Sequence, residues 1–279
     1  MAKGTIYLSG STGRLGKALS KAIQGQGGSF LPVSFRADSN SPSYSIEPES
    51  SLFIAGALVP KSGDGRNLSH SYLRSNLGST FRALRFAKLH GISVIVFMST
   101  ASAFWSRSRE ADIHLRFAQP HLAYKWSKVL AELIFYAYGA LTRTQIFRIR
   151  LSRLEGDGNG LLDKLSESSL NKNLHWSASL ASELNFLCID QAANDILHIF
   201  KSHVGGSYYI SGESVEALSL LRALSVGGLR TFSIPLERAK KLPLKEAWID
   251  SRSCGCERAR VAIVDLVARA QLGNHEGGL

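Results

Sequence analysis

A doubly wound α/β fold, with a parallel sheet between two layers of helices, is the architecture that this 279-residue sequence predicts. Three observations carry the prediction. Short apolar runs alternate with segments of helical period through the first half of the chain. A glycine-rich turn joins the first of those runs to the first helix, and hydroxyl residues stand where a later buried run ends.

Taken in order, the first run is Thr5 to Leu8, followed by Gly10-Ser11-Thr12-Gly13-Arg14-Leu15-Gly16 and then by the helix formers from Lys17 to Ile23. A turn in that context suits a dinucleotide phosphate. Glycines let the backbone turn tightly and approach a pyrophosphate, while the next helix offers N–H groups and the positive end of its dipole. Glycines alone occur at many strand-to-helix turns, so the position after a strand is what makes these informative. The second run, Phe30 to Phe35, and the third, Leu52 to Leu58, are separated by a short Ser/Pro/Asn-rich stretch. That stretch is too short for a strand-helix unit with its loops, and one crossover helix is expected to be missing.

Val94 to Met98 reads as a buried strand ending in Ser99-Thr100, at the sheet edge where ligands bind in open α/β folds. Tyr124-Lys125-Trp126-Ser127-Lys128 then opens a helix that continues through Val129 to Ile134. A spacing of four puts the phenol and the ammonium on one helix face. A phenol is a poor acid or base at neutral pH, and an adjacent ammonium is expected to lower its pKa. Chance supplies about 0.4 such pairs in a chain of this composition, so the pair counts only in combination with the other signals.

The glycine turn, Ser99-Thr100 and Tyr124-x-x-x-Lys128 together resemble the extended short-chain dehydrogenase/reductase family, the NAD-dependent epimerase/dehydratase group of nucleotide-sugar type. Asn76 in Ser75-Asn76-Leu77-Gly78-Ser79-Thr80 is similar to the family's Asn-x-x-Gly-Thr helix. Phe147-Arg148 resembles the arginine of its next strand, Asn185 to Ala193 a late segment with an aspartate before a helix, and Gly206 to Gly212 the strand after that. The resemblance spans residues 4 to about 215.

It implies a Rossmann-like sheet in residues 1–155, with 185–212 returning to it, and a small C-terminal substrate lobe in 156–184 and 213–279. It further implies that Tyr124 is the general acid/base, that Lys128 holds the nicotinamide ribose and lowers the phenol pKa, and that Thr100 bonds the reacting oxygen. Gly10, Thr12, Gly13, Arg14, Leu15, Gly16, Arg36, Asn76 and Lys128 are the expected cofactor contacts. Thr100 as a strand-end cap, Asn76 as a helix-turn residue and Asp190 as a helix N-cap are the plain structural alternatives, and Asp190 is read as structural. The implied activity is oxidoreduction or epimerisation of a nucleotide sugar by hydride transfer, with reduction of a non-sugar ketone or cofactor sensing without turnover as alternatives. Sensors on this fold commonly lose the tyrosine-lysine pair, which this chain keeps.

The chain also departs from the family. Phe104-Trp105 stands where many relatives have Tyr-Gly, Ile149 where many have proline, and Gln191 where many have a second aspartate. Dehydratases carry an Asp-Glu pair after the threonine, whereas Ala101-Ser102 here can do no acid/base work, which disfavours dehydration. For the cofactor, a carboxylate after the second strand selects NAD and an arginine selects NADP. Arg36 at that point, with Arg14 in the turn, favours NADP over NAD, and Asp38 is the competing ribose partner.

The 33 Lys+Arg and 22 Asp+Glu give a net charge of +11, with +12 in residues 1–150 and −1 in the rest. A basic cofactor half suits an anionic dinucleotide and a pyrophosphate-bearing substrate. Arg107-Ser108-Arg109 and Arg148-Ile149-Arg150 lack the aromatic platform of a single-strand reader, so no nucleic-acid partner is expected. There is no long apolar run for a bilayer and no leader pattern, which makes cytoplasmic the expected location and excludes a membrane role. Three cysteines, Cys188, Cys254 and Cys256, suit a reducing compartment, and Cys-Gly-Cys without a histidine partner is no metal site.

Beyond residue 150, Glu155 to Gly160 reads as a hinge loop, residues 161–184 as substrate cover, 191–202 as a helix, and 213–225 and 257–272 as the helices of the lobe. Leu130, Leu133, Ile134, Ala137 and Tyr138, with Phe81, Leu84, Ala87 and Leu89, are more apolar positions than one buried face needs. In the resembled family the two corresponding helices pack against those of a second subunit, which makes a homodimer the expectation.

Overall fold

The structure, a computed structural model, describes residues 4–36, 49–59, 69–101, 120–157, 183–216 and 247–250. These fall into two compact units, one within Met1–Leu151 and Ala193–Tyr209, the other within Ser152–Ala192 and Ile210–Leu279.

The first unit begins with β1 (Ile6–Ser9), whose end turns through Gly10 into α1 (Arg14–Gly25). Helix α1 buries Leu15, Ala18, Leu19 and Ile23, a helical-period stripe on a polar background. Strand β2 (Phe30–Val33) returns beside β1, and β3 (Ser51–Ile54) pairs with the other side of β1, both parallel. Helix α2 (Ser69–Leu89), β4 (Val94–Thr100), α3 (Pro120–Thr142) and β5 (Gln145–Leu151) follow. After α4 (Ile189–Ser202) comes β8 (Gly206–Ser211), giving the strand order β8-β5-β4-β3-β1-β2. This is the predicted doubly wound sheet. Its direction of travel reverses at β1, which opens a crevice at the C-terminal ends of β1 and β3.

Strand alternation divides the core into two layers. On one face, Tyr7, Val33, Leu52, Ile54, Ile95 and Phe97 pack with Ala83, Phe86 and Ala87 of α2 and with Ala131 and Phe135 of α3. On the other, Phe53 and Phe147 meet Phe200 of α4, with ring centroids 5.0 and 6.1 Å apart. Strand β2 is the edge of this order, and its Pro32 costs no ladder bond that an inner strand would need. Residues 34–50 connect β2 to β3; of these, 34–36 and 49–50 are described and contain no helix, and the expected loss of a crossover falls on 37–48, outside the described residues.

The second unit holds a small sheet of β6 (Arg153–Glu155), β7 (Glu183–Cys188) and β9 (Glu213–Glu216), in the order β6-β7-β9. Strand β9 corrects the expected helix over 213–225 at its start. Glu183 to Phe186 offer a strand edge, and antiparallel pairing across Leu184 and Val215 overrides the local helical period. The Asn185 amide locks the adjacent turn, accepting from Gly212 N at 2.9 Å and donating to Gly212 O at 3.1 Å. Strand β10 (Ala247–Asp250) completes the described elements, while the expected cover over 161–182, the helix over 257–272 and the rest of 213–225 lie outside the described residues. Asp190 sits in the first turn of α4, exposed, where a carboxylate favours the helix dipole.

The tightest point of the first unit is the glycine turn. A Cβ on Gly16 would lie 1.9 Å from Gly10 O, so Gly16→Ala must push strand and helix apart. A Cβ on Gly25, at the far end of the same helix, would meet nothing within 4 Å. Chemical denaturation should show Gly16→Ala destabilised by about 2 kcal/mol or more, and Gly25→Ala neutral or stabilised by up to about 1 kcal/mol. Equal effects would mean that the turn is not close-packed.

Candidate active site

Three strand ends build the site. At the first, Gly10 takes φ +77°, and a Cβ there would lie 2.5 Å from Gly56 Cα, so the ends of β1 and β3 touch through glycine alone. The turn closes by Gly13 N donating to Gly10 O at 2.9 Å. Gly13 is an extended N-cap whose helix has no side-chain cap and no acidic residue in its first turn. Thr12, Gly13 and Arg14 are exposed, whereas Leu15 and Gly16 are buried and can offer only backbone N–H. First-turn N–H groups have no partner inside their own helix, and with no carboxylate beside them they suit a pyrophosphate. The residues present therefore fit a dinucleotide.

At the second, β4 ends in Ser99 and Thr100, with α3 above it. Lys128 is buried, donates Nζ to Met98 O at 2.8 Å and lies 4.8 Å from the centre of the Phe97 ring. Tyr124 is one turn earlier on α3 and half-buried. Burial, partly offset by the Glu132 carboxylate, pulls the Lys128 ammonium down to about 8. Burial likewise pushes the Tyr124 phenol up to about 12. This corrects the expectation that Lys128 lowers the phenol: the ammonium is drawn to a strand carbonyl, and desolvation of the phenolate dominates.

Asn76 also departs from its expected direct role. Its Nδ2 donates to Leu58 O at 3.2 Å and to Ser127 Oγ at 2.9 Å, and its Oδ1 accepts from Leu58 N at 2.8 Å. Both amide protons are thereby committed to the protein. The residue ties the chain after β3 to the turn of α3 that lies between Tyr124 and Lys128.

Three residues that the sequence reading missed lie on the same side of the sheet. Glu132, four residues after Lys128 and buried, accepts from Arg150 Nε at 3.0 Å and from its NH2 at 2.7 Å, while Arg150 NH1 donates to the Tyr209 hydroxyl. The buried arginine of β5 is therefore Arg150. Arg148, singled out by resemblance, instead lies 5.0 Å from the Tyr136 ring. Ser99 pairs in register with Arg150, so it shares that face with Phe97, and its buried Oγ has no hydrogen-bond partner. Thr100, half-buried, is the last residue of β4. A second i, i+4 step beyond Lys128 was the available signal for Glu132.

At the third strand end, Arg36 is exposed just beyond β2, and its N–H donates to Ser34 Oγ at 3.5 Å. Among the described residues, no group of three or more His, Cys, Asp or Glu could hold a metal. No described helix is long and apolar enough to cross a membrane.

A lysine whose folded pKa is about 8 against 10.5 holds fewer protons when folded across that window. Its burial costs stability below about pH 8, and the cost fades as the pH rises to 10.5. Lys128→Met should therefore be more stable than the parent at neutral pH, by up to about 3 kcal/mol. Denaturation repeated near pH 10 should show that margin shrinking. A margin that is absent at neutral pH, or that grows with pH, would contradict the buried ammonium.

Comparison with known proteins agrees with this geometry. A family profile described as NAD dependent epimerase/dehydratase matches residues 6–182. No curated protein matches the sequence. Among solved structures, the chain is similar to UDP-glucose 4-epimerase of Thermus thermophilus in complex with NAD, at 14% identity and TM-score 0.60, covering 80% of this chain and 83% of that one. It is also similar to UDP-N-acetylglucosamine 4-epimerase of Bacillus cereus, at 19% identity and TM-score 0.59, covering 81% and 82%. A GDP-D-glycero-L-gluco-heptose synthase of Campylobacter jejuni, in the presence of NADPH, is similar at 11% identity and TM-score 0.60, covering 81% and 85%. At such identities these structures establish the shared fold. The family match spans more than half of the chain, and with the glycine turn and sheet order it makes this protein a member of the NAD-dependent epimerase/dehydratase family, an enzyme of the short-chain dehydrogenase/reductase type.

Proposed function

We propose that the protein transfers a hydride at a carbinol or ketone carbon of a nucleotide sugar, as a 4-epimerase or ketoreductase, with NADP preferred over NAD. The observation that carries the reading is the Lys128 ammonium, buried on the Met98 carbonyl one helical turn from Tyr124, at the end of β4. Few positions outside a functional site bury a lysine without a carboxylate contact. The glycine turn supports a dinucleotide, and the basic first half supports a second pyrophosphate-bearing ligand. We assign residues 156–184 and 213–279 to substrate binding.

When bound, a nicotinamide supplies or accepts the hydride. The chain's own part is proton transfer and positioning. Tyr124 keeps its O–H at neutral pH because burial opposes the phenolate, so it is ready to protonate an oxygen on which negative charge develops. Lys128 holds the ribose hydroxyls and presents positive charge near the phenol. Thr100 donates to the reacting oxygen, and Asn76 positions α3 through Ser127. Gly10, Thr12, Gly13, Arg14, Leu15 and Gly16 bind the pyrophosphate, and Arg36 the adenosine end.

The helices α2 and α3 support a homodimer. Leu84 and Ala87 are buried and Ile134 and Tyr138 pack on the core, but Phe81, Leu133 and Tyr136 remain 57–58% exposed. Aromatic and leucine side chains exposed in that number on adjoining helices suit a two-fold contact. Sedimentation at micromolar concentration should give a dimer. A monomer alone would end this reading.

Tyr124→Phe should reduce turnover of UDP-hexoses by orders of magnitude and leave nucleotide affinity nearly unchanged. Following the cofactor during turnover separates the two activities, since a ketoreductase accumulates oxidised cofactor and an epimerase does not. Full activity in Tyr124→Phe would remove the phenol from the mechanism. Tight nucleotide binding with no turnover across a panel of UDP-, GDP- and dTDP-sugars would favour the sensor.

A further inference from the structure

Helix α2 covers the end of β2. Phe86 of α2 meets Tyr7 of β1 at a ring-centroid distance of 5.4 Å and Phe35 at 5.6 Å, and Phe35 is 4% exposed. One turn earlier on the same helix, Arg82 donates Nε to Phe35 O at 2.6 Å. That carbonyl belongs to the peptide that begins Arg36, so the Arg82 guanidinium is fixed within one peptide unit of Arg36. A Cβ on Gly78 would lie 3.3 Å from Arg82 NH1 and 3.5 Å from NH2, so the guanidinium rests on the bare face that Gly78 leaves on α2. Among the described residues, the terminal nitrogens of Arg82 meet no carboxylate.

Arg36 leaves the same strand end in an exposed position, one peptide unit from the tether of Arg82. A phosphomonoester carries nearly two negative charges at pH 7 and three acceptor oxygens, more than one planar guanidinium can satisfy. We propose that Arg82 is a specificity-determining residue, the second arm with Arg36 of a subsite for the 2′-phosphate of an adenine dinucleotide. The inference rests on the NADP reading above and deepens it. Arg82 is held by its Nε, which leaves NH1 and NH2 as a preset fork, and Arg36, exposed just beyond β2, supplies the other donors.

The test is equilibrium binding of NADPH and NADH to the full chain and to Arg82→Gln, Arg82→Lys and Arg36→Ala. Glutamine keeps an N–H donor for Phe35 O but removes the fork. Its NADPH Kd should rise by about tenfold or more, with the NADH Kd changed less than about twofold. Lysine keeps the charge without the fork and should give a smaller, still NADPH-specific loss. If Arg82→Gln does not fold, the lysine variant decides alone, and NADPH affinity equal to the parent's overturns the proposal. Equal weakening of both nucleotides by either variant would make Arg82 a mere tether of β2 and also overturns it. If the parent prefers NADPH and only Arg36→Ala removes the preference, Arg82 falls and the NADP reading stands. If the parent binds NADH at least as tightly as NADPH, the NADP reading itself has failed.

Discussion

The structure depends on charge buried between α3 and the strands β4 and β5. Lys128, Glu132 and Arg150 are each 6% exposed or less, and burying any of them alone would cost several kcal/mol. Each has an answer close by. Arg150 grips Glu132 through two nitrogens and is itself held by the Tyr209 hydroxyl, while Lys128 rests on the Met98 carbonyl. Because the partners come from α3, β4, β5 and β8, the pairing fixes how the helix lies on the sheet. Losing one partner would leave a bare buried charge, which penalises other placements of α3 by about 3–5 kcal/mol.

The same burial sets the chemistry. Desolvation acts on both groups through one cause with opposite sign, since it disfavours the phenolate of Tyr124 and the ammonium of Lys128 alike. Burial thus holds the proton on the phenol and loosens it on the lysine, one helical turn apart on α3. Glu132 works against the desolvation of Lys128, so the ion pair that orients the helix also helps to keep the lysine charged. Fold and site therefore share residues. A lysine that destabilises the fold at neutral pH is retained where a positive charge can serve a ligand.

Much of this was legible in the sequence, because local patterns carried it. The glycine turn reads from three glycines after an apolar run, and the Tyr124-Lys128 pair reads from helical spacing. What was not legible depends on register between distant segments. Arg148 and Arg150 are two residues apart on β5 and look alike in sequence. Only the partners that α3 and β8 bring over the strand make Arg150 the buried one. Asn76 resembled a ligand contact, but its amide is used up by Leu58 and Ser127, one 18 residues before it and the other 51 after it. Residues 213–216 kept a helical pattern locally and became a strand because β7 offered an edge.

The end of β2 depends on a helix that comes later in the chain. The apolar faces of β1 and β2 need an element to cover them. Here α2 does so with Phe86, whose ring reaches both Tyr7 and Phe35. Covering that edge brings the polar side of the helix to the end of β2 as well. Its position is constrained from the other direction by Asn76, nearly three turns before Phe86 on α2, which ties it to α3. The end of β2 and the turn of α3 between Tyr124 and Lys128 are thus tied to one helix, through Arg82 at the first and Asn76 at the second. A change in the packing of Phe86 would be felt at both, because a helix fixed at two points transmits a shift along its length instead of absorbing it.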